Sequence, residues 1–73
     1  MKDEFRICIS SPPDREKLVA EIFFKDEQWA ELSQETEKLI LELYPNKDKR
    51  PWAFEFEEAM EALKSAAAKL TPR

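Results

Sequence analysis

A chain of 73 residues carrying a net charge of −4 has room for one domain, residues 1–73, and one modest core, since at this size only about 60% of the unfolded surface is buried on folding. Its 42% apolar and 38% charged content is that of a folding chain rather than a disordered one. The negative charge disfavours nucleic acid and anionic lipid as partners and suits a basic protein.

The N-terminus, Met1-Lys2-Asp3-Glu4, has acids where a signal peptide is basic, and no apolar run approaches the roughly 18 residues of a membrane span. A cytoplasmic chain with no membrane partner is expected. Phe5, Ile7 and Ile9 alternate with Arg6, Cys8 and Ser10, which predicts a first strand over residues 2–10. Cys8, the single cysteine, cannot form an internal disulfide, and between Ile7 and Ile9 it reads as a small hydrophobe. Pro12 and Pro13 remove two backbone donors in succession, so residues 11–15 form an exposed turn or loop.

Leu18, Ala20, Ile22 and Phe24 share one parity of a second strand over residues 17–25, and Val19, Glu21 and Phe23 share the other. A tight polar connection, Lys25-Asp26-Glu27-Gln28, leads into a third strand over residues 29–33, with Ala30 and Leu32 facing one way. Leu39, Leu41 and Leu43 alternate with Lys38, Ile40, Glu42 and Tyr44, predicting a fourth strand that Pro45 ends. A helix capped by Ser33 is the competing reading for residues 34–44, because Leu39, Ile40, Leu43 and Tyr44 also fit helical spacing. Glycine is absent, so the turns must use Asp, Asn or longer loops.

From Phe54 onward, Phe56, Ala59, Met60, Leu63, Ala66, Ala67 and Leu70 recur at spacings of three and four, the stripe of an amphipathic helix. Glu55, Glu57 and Glu58 at its start and Lys64 and Lys69 toward its end suit the helix dipole, and Thr71-Pro72 closes it. The expected fold is therefore α+β, a four-stranded antiparallel meander with one C-terminal helix packed on one face, ββββα.

A single helix covers one sheet face. Parity assigns Ile7, Leu18, Ile22, Phe24, Leu32, Leu39, Leu41 and Leu43 to that face, packed on Phe56, Met60 and Leu63. The open face receives Cys8, Val19, Phe23, Trp29, Ile40 and Tyr44 among Arg6, Glu21, Glu31 and Glu42. Such an apolar open face is either a scatter of exposed side chains or one patch that binds another chain. The candidate interface is Val19, Phe23, Trp29, Ile40 and Tyr44, with a homodimer as its simplest use.

Glu55, Glu57, Glu58 and Glu61 are solvated helix acids rather than a catalytic or cation site. The sequence has no histidine, no glycine-rich phosphate loop and no Cys/His metal spacing, so neither enzyme activity nor a cofactor is expected. Lys47, Lys49, Arg50 and Trp52 place three cations beside an indole in an acidic chain. This loop is either a grip for an anionic partner anchored by Trp52, or a solvated turn whose tryptophan drops onto the core edge.

The string from Ser10 to Ile22, SSPPDREKLVAEI, together with Asp26-Glu27-Gln28-Trp29-Ala30-Glu31, Tyr44-Pro45, Pro51-Trp52 and the acidic helix, resembles a family of short uncharacterised bacterial proteins over nearly the whole chain. The resemblance implies strands over residues 29–44 and carries no known activity. It also implies a glycine-containing turn where this chain has Lys49-Arg50. The functional expectation is a small acidic interaction module, of immunity-like or antitoxin-like kind, self-associating through the open face. The alternative is a binder of small anions or nucleic acid through residues 47–52.

Overall fold

The computed structural model describes residues 4–70. Four strands, β1 (Phe5–Ser10), β2 (Val19–Phe24), β3 (Glu27–Ser33) and β4 (Ile40–Leu43), form one antiparallel sheet in the order β1-β2-β3-β4, followed by the helix α1 (Phe56–Leu70). This is the ββββα arrangement of an α+β fold, and residues 40–43 are strand rather than helix. The start expected for the first strand at Lys2 and the helix stop at Thr71-Pro72 lie outside the described residues.

The glycine-free turns close through left-handed residues that are not glycine. Phe24 lies opposite Glu27, so β2 and β3 are joined by Lys25 and Asp26 alone, at φ 51° and 69°. Two successive positive φ values are what a two-residue hairpin turn matching the twist of the strands demands. The connection is thus two residues shorter than the four-residue polar segment predicts. A third left-handed residue, Lys49 at φ 59°, ends a turn in which its N–H donates to the Asn46 carbonyl at 2.8 Å, while the Asn46 side chain accepts from Asp48 N–H at 2.7 Å. At the proline pair, Arg15 N–H closes a turn on the Pro12 carbonyl at 3.2 Å, with Pro13 supplying the fixed φ of its second position.

The β2–β3 register slips by one residue between Ile22 and Phe23: Ile22 pairs with Ala30 and Phe23 with Gln28, leaving Trp29 as the inserted residue. A bulge of this kind turns two consecutive side chains to the same side. Trp29 and Ala30 therefore both enter the core under the helix, and strict alternation, which assigns Trp29 to the open face, fails at this one step.

The core consists of Phe5, Ala20, Ile22, Trp29, Ala30 and Leu32 from the sheet and Ala62, Ala66 and Leu70 from the helix. Ala62 and Ala66 have no exposed surface, so the helix meets the sheet through small residues one turn apart. At its start Glu55 acts as the cap: its carbonyl accepts from Ala59 N–H at 3.0 Å and its carboxylate from Glu58 N–H at 3.1 Å.

The helix packs on β1 and β2. A helix about 10 Å across spans about two strands at a spacing of about 4.8 Å, so the same side of β4 is left open. Leu41 and Leu43, expected beneath the helix, are 44% and 67% exposed, and Leu18 and Leu39 are exposed as well. Phe56, expected to pack on the sheet, is 69% exposed. Its place is taken by Phe54, which the segment returning from β4 carries into the core before the helix begins.

Candidate functional site

On the helix-free face, three glutamates line up across the strands: Glu21 opposite Glu31 in the β2–β3 ladder, and Glu31 opposite Glu42 in the β3–β4 ladder. Like charges directly across a ladder repel. The β1–β2 connection answers this by crossing the face, so that Arg15 Nη2 reaches Glu31 Oε2 at 2.9 Å and Glu42 Oε1 at 2.8 Å. The hydrogen bond to Glu42, against the opposing effect of partial burial, holds the Arg15 guanidinium above its ordinary pKa. Tyr44 completes the network by donating its hydroxyl to Glu31 Oε1 at 2.7 Å. That bond first, and then burial, push the Tyr44 pKa up to about 12. Glu31, buried on the face, thus has a partner on each carboxylate oxygen.

The crossing segment is held at its far end by Glu35, whose carboxylate accepts from Lys17 N–H at 2.9 Å and Glu16 N–H at 3.3 Å. Gln34 Nε2 donates to the Leu18 carbonyl at 3.1 Å.

This arrangement dissolves the apolar open face expected from parity. Val19 is fully buried, Trp29 lies in the core, and Tyr44 is engaged by Glu31. Phe23 is half-buried with the Arg6 guanidinium 4.5 Å above its ring, and Arg6 also reaches Asp26 and the Cys8 thiol. Of the five candidate interface residues, only Ile40 is openly exposed, at 44%. The parity argument misses this because one bulge turns Trp29 into the core and a loop residue, Arg15, reaches across the strands to Glu31 and Glu42, and nothing in strand periodicity announces either.

In the basic loop, Lys47, Lys49 and Arg50 are exposed, but Trp52 is not a free platform. Its ring stacks on Phe54 at 5.4 Å with 24° between planes, and its Nε1–H donates to the Tyr44 carbonyl at 3.0 Å. The loop backbone is fixed to β3 by Lys47 N–H donating to Glu27 Oε2 at 2.7 Å. Trp52 therefore follows the structural reading, joining an aromatic cluster in which Phe54 touches Phe5, Phe24, Trp29 and Trp52 at centroid distances of 4.7–5.4 Å. The indole N–H of Trp29 is buried in this cluster without an acceptor among the described residues.

Besides Ile9 and Leu18, the exposed large hydrophobes sit along the sheet edge and at the helix start: Leu39, Ile40, Leu41 and Leu43, then Phe56. Sequence reasoning placed Ile40 on the open face but missed Leu39, Leu41, Leu43 and Phe56 as surface, because it granted the helix the whole sheet. The four-strand count was enough to show that one helix leaves about two strands open.

Among the described residues no group of Cys, Asp and Glu is placed to hold a metal ion, and no helix is long and apolar enough to cross a membrane. Comparison with protein families, with curated proteins and with solved structures finds no match to this chain in any of the three.

Proposed function

We propose that this chain is a small acidic protein-interaction module whose binding surface is the β4 edge. An inhibitor of immunity-like or antitoxin-like kind is the specific form that its size and charge suit. One observation carries the reading: Ile40, Leu41 and Leu43 stand exposed on the edge strand β4, with exposed Leu39 immediately before it. An apolar edge open to solvent is a template for pairing with another chain, and although Glu42 interrupts this one and Pro45 follows it, four of the five residues from Leu39 to Leu43 are apolar.

Affinity capture from cell lysate, comparing the natural chain with a Leu43→Lys variant, tests the proposal. A protein held by the natural chain and released by the variant, at equal folded stability, is the expected result. Capture indifferent to Leu43→Lys, or no partner of any kind including the chain itself, removes the reading.

A further inference from the structure

Deepening the proposal above, and resting on it, we infer that the occupant of the β4 edge is a second copy of this chain, paired antiparallel strand to strand about a two-fold axis through Leu41. The direction of the backbone groups comes first. Tyr44 N–H donates inward to the Trp29 carbonyl at 2.9 Å, and along an antiparallel ladder residues alternate between facing the partner strand and facing away. Glu42 and Ile40 therefore also turn inward, and Leu41 and Leu43 present their N–H and C=O groups at the open edge, with Leu39 next in the same parity.

Self-pairing with both helices on one side of the joined sheet allows only registers that set side chains of one face opposite each other. Centred on Glu42, the two copies would oppose two carboxylates across the ladder, which is unfavourable. Centred on Leu41, the outward residues match throughout: Leu41 meets its own counterpart, Leu39 meets Leu43, and the intervening pair on the other face is Ile40 with Glu42. Every leucine of the edge then packs on a leucine, on the side of the sheet that the helix leaves open.

Charge permits the approach of a copy that is itself acidic. Between Leu39 and Tyr44 the edge holds one ionic group, Glu42, and Arg15, which it shares with Glu31, offsets part of its charge at 2.8 Å. A strip with one partly offset charge gives a basic partner little to recognise and a like-charged copy little to repel it. The chain's overall charge of −4 still opposes dimerisation at long range, so salt should strengthen it.

Sedimentation equilibrium of the full chain between about 10 μM and 1 mM, the range suited to a small interface, is expected to show mass rising from monomer toward dimer, more steeply at higher salt. Leu41→Lys should remain monomeric throughout with an unchanged urea midpoint. If that variant unfolds, Leu43→Lys, at a more exposed position, serves in its place. Opposed residues in such a pair have Cα atoms about 5.5 Å apart, within disulfide reach. In a Cys8→Ser background, oxidised Leu41→Cys should therefore give a covalent dimer and Leu43→Cys much less. A natural chain monomeric across the range, or a dimer that survives Leu41→Lys, overturns the inference. If the chain is monomeric yet Leu43→Lys still releases a captured protein, the second copy alone is refuted and the interaction module stands.

Discussion

Tyr44 shows how much one neighbour can decide. It is the only tyrosine, so its ionisation can be followed by ultraviolet absorbance without overlap from another phenol. Its hydroxyl donates to Glu31, a bond that exists only while the phenol is protonated, and the pKa stands at about 12 against about 10 for a free side chain. Because the folded value is the higher one, the stabilisation linked to this proton is complete below about pH 10 and is lost as pH rises toward the folded pKa. Urea midpoints should fall over that interval, and Glu31→Gln should bring the absorbance midpoint back toward about 10. A midpoint unmoved by Glu31→Gln would show that the hydrogen bond is not its cause.

The left-handed residues make a second point at this scale. A non-glycine residue in this region costs roughly 1–2 kcal/mol from the clash of Cβ with the following carbonyl, and Lys25, Asp26 and Lys49 all sit there. Replacing Lys49 by glycine should raise stability by about 0.5–1 kcal/mol, since part of the relief is returned as added freedom of the unfolded chain. Asp26→Gly should act in the same direction, reduced by loss of the long 3.5 Å contact to Arg6. Urea denaturation measures both, and a lower midpoint in Lys49→Gly would contradict the strain.

Among the elements, the junction into the helix is where sequence neighbours differ most. Phe54 lies at the centre of the aromatic cluster, and Phe56, two residues on, is mostly in solvent. Phe54→Ala should cost about 3–4 kcal/mol, whereas Phe56→Ala should change stability by no more than about 0.5 kcal/mol. Equal costs in chemical denaturation would mean that the helix begins in a different phase. Glu55 stands between the two phenylalanines, and residues two apart on a helix project about 200° apart, so periodicity separates them but assigns the apolar stripe to Phe56 rather than Phe54. The distinction comes from the path of residues 45–55, which must return from the sheet edge to β1 and β2.

For the whole molecule, the order of elements was legible because strand alternation and the helical stripe are strong, local signals. Val19 to Phe24 and Ala62 to Leu70 carry them almost without interruption. The assignment of faces was legible only in part. Ile7, Ile22, Phe24 and Leu32 lie on the helix side as parity requires. Trp29 changed sides through one inserted residue, Val19 is fully buried, and Leu41 and Leu43 kept their side without receiving a cover. Each of these depends on where a segment distant in the chain comes to rest. The candidate surface therefore moved from the middle of the sheet to its edge, and Ile40 is the one residue common to both.

The meander also bears on how the chain reaches this state. Every ladder joins strands that are consecutive in the chain, and the central one is closed by Lys25 and Asp26 alone, so little loop-closure entropy stands in the way of the sheet. Phe54 and α1 must find partners toward the opposite end of the sequence. The sheet can grow hairpin by hairpin outward from β2 and β3, and the helix has its docking surface once β1 has joined β2.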